Sequence, residues 1–347
     1  MGRFMSPKNG ARLFLVLAFF FSAGWAWASG MEIEFKLSGG IGKLQDRGGD
    51  LEKIRQAAVA YSQFIGNQPY YRSSWSWKEL AAIPDFEADI VLRLGKHFGV
   101  GIGSGFITGT SKGNSAYDVS STGPVEAGWT VFSTSTETNS HDYKIQAVPI
   151  KADLYFFLPF RGWKIYGYAG LGYYFGKLTH RWTHQFDFSG QYTHPSQPDE
   201  IKEVSSLFTM REDAACGAIG FQGGAGLGLN LSSHLSLGLE VHGRTVDFKN
   251  WEGDESDSQD DHQRYWRAGT GWYSDVTLHG ENRNHGALWF YESYDGWLKD
   301  YATLMRIATD TPSGSLIRNT RRASLDLDAL GVSVSLVVHF NFFSKNQ

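Results

Sequence analysis

Leu330–Phe343 reads Leu-Gly-Val-Ser-Val-Ser-Leu-Val-Val-His-Phe-Asn-Phe-Phe, and its alternation constrains the chain more than any other stretch. Leu330, Val332, Val334, Leu336, Val338, Phe340 and Phe342 fall on one face of a strand. Gly331, Ser333, Ser335, His339 and Asn341 fall on the other. A strand that is apolar on one side and polar on the other, and aromatic at its end, suits a wall with lipid outside and polar side chains inside. Lipid offers no partner to an open strand edge, so such a strand requires a closed sheet. The rest of the sequence must supply the partners.

The first 29 residues read as a secretory signal. Arg3, Lys8 and Arg12 form a basic start, Leu13–Ala23 an apolar run too short to span a bilayer, and Ala26-Trp27-Ala28 a small-x-small cleavage site. The formal net charge is −4, and the three bases of the signal make the remainder more acidic still. That balance excludes a basic nucleic-acid footprint. Cys216 is the only cysteine, so no internal disulfide closes the fold; it sits among Ala and Gly as a small filler. Mean hydropathy is −0.31, with 41 Gly and 15% aromatic residues. Averaged hydropathy misses membrane strands, because only alternate residues meet lipid.

Eight alternating segments follow one another. Glu32–Ile41 places Ile33, Phe35, Leu37 and Ile41 against Glu32, Glu34, Lys36 and Ser38. Phe86–Leu94 and Phe98–Thr108 form a hairpin across Gly95-Lys96-His97, Tyr143–Leu158 and Lys164–Phe175 a second across Pro159–Gly162, and Cys216–Leu231 and Leu235–Phe248 a third across Ser232–His234. The closing strand is the one described above. Three short turns alternate with four long connections, at about 43–84, 111–142, 176–213 and 249–323. The first connection carries a helix over Asp50–Ile65, with Leu51, Ile54, Ala58, Tyr61 and Ile65 at helical spacing; Asp295–Ala308 reads as a second. The expected architecture is all-β: an eight-stranded, antiparallel, up-and-down transmembrane β-barrel after the signal, with long extracellular loops containing one or two short helices. Trp266–Val276 with Ala287–Ser293 would make ten strands, although their mixed polarity favours a hairpin outside the membrane.

The signal, the eight strands, the Gly- and aromatic-rich hairpins and the Val-Val-His-Phe-Asn-Phe-Phe ending resemble the small outer-membrane β-barrel proteins of the OmpA, OmpX and OmpW type. The resemblance covers the strands, about a third of the chain, and the loops are longer than is usual in that group. It implies residence in the outer membrane among lipid and lipopolysaccharide, and a C-terminal signal at Phe340, Phe342 and Phe343 read by the barrel-assembly machinery.

Eight strands enclose a space that side chains fill. The inward parity assigns Glu32, Glu34, Glu87, Asp89, Asp153 and Glu240 to the lumen together with Lys36, Arg93, Lys151, His242 and Arg244. A salt-bridged plug is the expected reading and an ion path the alternative. Ser233-His234-Leu235-Ser236 has the residue types of a hydrolase but falls in a short turn, and the loop histidines, including His141, His180 and His184, show no diagnostic spacing. Asp254–Asp261 is acidic but fails the calcium-loop pattern. No catalysis, cofactor or metal is expected. The tryptophans of the long connections, among them Trp75, Trp77, Trp182 and Trp251, imply a cap with its own small core. The expected role is a structural or ligand-binding surface protein acting through these loops, with a narrow channel as the alternative.

Overall fold

The computed structural model describes residues 31–45, 48–80, 82–124, 128–296 and 299–341. The proposed signal, Trp297, Leu298, Phe342 and Phe343 lie outside the described residues. Fifteen strands and one helix are present among those described: β1 (Met31–Leu44), α1 (Asp50–Gly66), β2 (Tyr71–Lys78), β3 (Ala82–Leu94), β4 (Phe98–Pro124), β5 (Thr130–Phe160), β6 (Trp163–His194), β7 (Gln197–Asn230), β8 (Leu235–Thr245), β9 (Asp247–Phe248), β10 (Glu252–Arg267), β11 (Gly271–Asp295), β12 (Asp300–Ala308), β13 (Ile317–Arg322), β14 (Leu325–Asp326) and β15 (Ala329–Asn341). Among them no helix is long and apolar enough to cross a membrane, which says nothing about strands.

Thirteen strands form one antiparallel sheet. Its pairings run β1–β3–β4–β5–β6–β7–β8–β15 and return from β15 to β1, so eight strands form a closed ring. The final strand pairs Phe35 with Val338 on one side and Val332 with Val241 on the other. The sheet is larger than eight strands, however. β4, β5, β6 and β7 continue past the ring, β2 joins the far half of β4, and β10, β11, β12 and β13 extend the sheet from β7. Two of the segments read as loops, 111–142 and 176–213, are therefore largely long hairpins. The second helix expected over Asp295–Ala308 is also wrong: Asp300–Ala308 is a strand, because pairing with Ala287–Asp295 overrides a chance helical spacing. Trp266–Val276 and Ala287–Ser293 belong to β10 and β11, which pair outside the ring.

The pattern of side chains inverts partway along the ring. In β5, Ile150, Ala152, Leu154, Phe156 and Leu158 point outward while Lys151, Asp153, Tyr155 and Phe157 are buried inside. Beyond Val148 the outward positions become Gln146 and Lys144, and the buried ones Ala147, Ile145 and Tyr143. The same exchange occurs on the neighbouring β6 between Phe175 and Lys177, and in β1 and β15 at Lys43, which pairs with Leu330. One half of the ring is greasy outside and charged within; the other half is built like a protein in water.

The apolar core occupies the second half, where Leu44, Ile83, Ile107, Ile145, Leu178, Val246, Phe248, Trp251, Leu325 and Leu327 pack together. Leu325 and Leu327 lie on the parity opposite to Leu330 and Val332, which in sequence reads as a phase error. No bulge interrupts β15: Ala323, Leu325, Leu327 and Ala329 are buried on the same inward parity as Ser333 and Ser335. α1 packs against both β2 and β12, two strands that do not pair with each other, and so bridges the cap sheet. Its start is tethered: Arg321 takes both Asp50 carboxylate oxygens, and the Ser324 N–H donates to Asp50 at 2.8 Å. Gly49, at φ 65°, precedes it; a Cβ there would meet the Ser324 carbonyl at 2.9 Å, so only glycine fits.

Candidate functional site

The structure brings the charged residues assigned to the ring interior into four connected groups. At the turn end, Arg93 pairs with Glu32 at 2.8 Å and Lys164 with Glu34 at 2.9 Å, while His339 lies 2.8 Å from Glu32 and 2.7 Å from Ser236 Oγ. Next, Lys36 meets Glu240 at 2.6 Å; Tyr166 and Tyr168 donate to the same carboxylate at 3.0 and 2.7 Å. The Lys36 ammonium also sits 5.2–6.0 Å from the ring centres of Tyr155, Tyr166 and Tyr168. Above it Lys151 joins Glu87 and lies 3.1 Å from Asp89, and Gln222 donates to Asp153 at 2.7 Å. Finally Asp85 accepts from Arg244 at 3.0 Å and faces His242 at 3.1 Å.

Three acidic or basic members of these groups escaped the sequence reading. Asp85 lies one residue before the predicted strand start and follows Pro84. Lys164 shares the inward parity of Tyr166 and Tyr168, and His339 stands on the polar face of the closing strand; both signals were visible. Glu32, Glu34 and His339 place their ligand atoms within 4.8 Å of one another, as a cation would require. Arg93 and Lys164 already neutralise those carboxylates, so the group carries its counter-charge. Of the residues read as an assembly signal, Phe340 is described; it faces outward and packs edge-on against Phe35, ring centres 5.3 Å apart.

The second site lies in the cap. A cavity of about 580 Å³ is enclosed by α1, β2, β12 and the far halves of β4 to β7. Cross-strand pairing sets its wall: Trp77 opposes Gly113, Gly113 opposes His141, His141 opposes Trp182 and Trp182 opposes Met210. A Cβ at Gly113 would lie 2.1 Å from the Trp77 ring, so the missing side chain is what admits the indole. One step lower Tyr143 opposes His180 and His180 opposes Glu212. His141, Tyr143, His180 and Trp182 stack with interplanar angles of 4–9°.

A hydrogen-bonded chain runs through this wall. His180 Nδ1 is 2.7 Å from Glu212 Oε2, and its other nitrogen is 3.2 Å from His141 Nδ1. Burial pushes both imidazoles down to about 3, so they are neutral at ordinary pH. Burial, and then the neighbouring Glu255, hold the Glu212 carboxyl well above the usual range. Arg306 takes Glu255 in a two-point pair at 2.8 and 2.7 Å and keeps it ionised against the cost of burial. On the helix side, burial and then the negative field of Glu137, with that of Asp295, raise the Tyr61 phenol. Glu137 itself is held low by His184, 3.4 Å away.

These histidines lie on strands rather than in loops, and His180 is 3% exposed. Their adjacency depends on β5–β6 pairing in a stretch that lacks the outward apolar face of the ring half. Asp254–Asp261 is likewise a strand, whose alternate residues diverge. Glu255 points inward to Arg306, whereas Asp254 and Asp260 meet His285 and His279 across the hairpin. Ser236 serves the lumen through His339, and the Ser233-His234 turn meets that group only through its backbone, the His339 N–H donating to the His234 carbonyl at 3.0 Å.

No protein-family model and no curated protein matches this chain. Among solved structures, a major outer membrane protein from Thermus thermophilus is 12% identical over 90% of this chain and 100% of that one, with a TM-score of 0.29. A likeness so loose carries no argument, and the functional reading rests on the geometry.

Proposed function

We propose that the eight-stranded ring is an outer-membrane β-barrel with a plugged polar lumen, and that the protein serves the cell surface as a ligand-binding protein through its cap. The observation that carries this reading is the inversion of side-chain pattern at one level of the ring. Leu37, Ile41, Phe86, Leu154, Ile219, Phe221 and Leu330 stand at least 57% exposed on the outer face, a continuous belt that water would penalise and lipid accepts. The lumen is closed by its own ion pairs, so binding falls to the cap, where the cavity lies. On this reading the short turns and both ends of the ring face the periplasm, with Phe340 among them, and the long connections face outward.

Protease applied to intact cells is expected to cut within the cap, first at the exposed 267–271 turn, and to leave a protected fragment containing the ring strands. Cleavage only after the envelope is opened would refute the orientation. The channel alternative predicts reproducible single-channel steps in a planar bilayer; the plugged lumen predicts none.

A further inference from the structure

We infer that the cap cavity binds an organic ammonium ion. This rests on the ligand-binding reading above and names the ligand class. The cavity is of the size that holds a small molecule. Its described lining carries three carboxylates, Glu137, Asp295 and Asp300, against one guanidinium, Arg306. Glu255 already occupies that guanidinium, so the lining offers no unspent positive charge to an anion. His141 and His180 are uncharged, and His184 stands beside Glu137. The remaining surface is aromatic: Tyr61, Trp75, Trp77, Tyr117 and Trp182 all reach the cavity.

Aromatic faces attract cations through the negative face of the ring, more strongly the drier the site. Carboxylates add direct attraction that low polarity strengthens. Aromatic rings and carboxylates around one space select an ammonium group carrying an apolar body. They disfavour a carboxylate or phosphate.

The test uses the full chain folded in detergent and three probes of nearly equal shape: phenethylammonium, 2-phenylethanol and phenylacetate. Titration calorimetry and quenching of tryptophan fluorescence are expected to show saturable phenethylammonium binding at least about tenfold tighter than 2-phenylethanol, and no phenylacetate binding. Glu137→Gln and Trp75→Ala are each expected to weaken it about tenfold, with the heat-dependent gel mobility of the folded chain unchanged. If Glu137→Gln fails to fold, Asp300→Asn at the exposed rim provides the charge test. Equal binding of the alcohol, tighter binding of phenylacetate, or no saturation by the amine would overturn the inference. Because binding is read in detergent, it is independent of topology. Failed shaving with intact amine binding removes only the placement, whereas successful shaving without amine binding removes only the ligand class.

Discussion

Lys151→Ala is expected to destabilise the folded chain by about 3–5 kcal/mol, the usual result of stripping one partner from a buried ion group. Lys151 is 3% exposed and is the ammonium that holds Glu87 and Asp89, with Asp153 beside it. The next cation to Asp89 is Lys36, at 3.9 Å and already committed to Glu240 at 2.6 Å. Alanine therefore leaves carboxylates facing one another across a narrow space. Urea unfolding in lipid, followed by tryptophan fluorescence and by gel mobility, measures the loss. Adding Glu87→Gln to the variant should restore part of it, since one uncompensated charge disappears, and the double-mutant cycle isolates that coupling. Arg93→Ala should cost less, because Arg93 sits at the open turn end and Lys164 and His339 remain near its carboxylates. A Lys151→Ala loss below about 1 kcal/mol would resemble a solvated surface pair and would show that water fills the lumen, reviving the channel.

The ring half was legible in the sequence because an outward apolar face and a charged interior place opposite residue types at successive positions. Ile150 to Leu158 and Leu330 to Phe340 announce themselves by parity alone. The cap half was not legible for the same reason reversed. Along Thr130–Ser140 both faces are half-exposed or exposed and no residue is buried, so the strand carries no contrast to detect. Over Asp300–Ala308 the buried side chains are Met305 and Ile307, two apart, but Tyr301, Leu304 and Met305 also satisfy helical spacing. Only the partner strand decides. Charges could be assigned to the interior by parity, yet their partners could not be named. Lys36 and Glu240 are 204 residues apart, and His141 and His180 meet through a hairpin that the sequence presents as polar loop.

Val334→Arg supplies the sharpest check on where lipid begins. Val334 lies near the middle of β15, faces outward between Gly39 of β1 and Leu239 of β8, and is 54% exposed. In water, arginine at such a position costs almost nothing, because an exposed valine contributes little packing to lose. At the midplane of a bilayer it costs about 2–4 kcal/mol, falling to about 0–1 near the interface. Val148→Arg is the internal reference, since Val148 is the last outward apolar residue of β5 before Gln146 and Lys144. Measured by urea unfolding in lipid vesicles, Val334→Arg should lose at least about 2 kcal/mol more than Val148→Arg, and the gap should shrink when both are compared in detergent. Equal losses would mean that the exchange of pattern at Ala329–Leu330 does not mark a change of solvent. A large gap would tie the buried leucines below it, Leu325 and Leu327, to a core surrounded by water. One run of chain, from β14 into β15, would then carry two opposite patterns because it passes through two solvents.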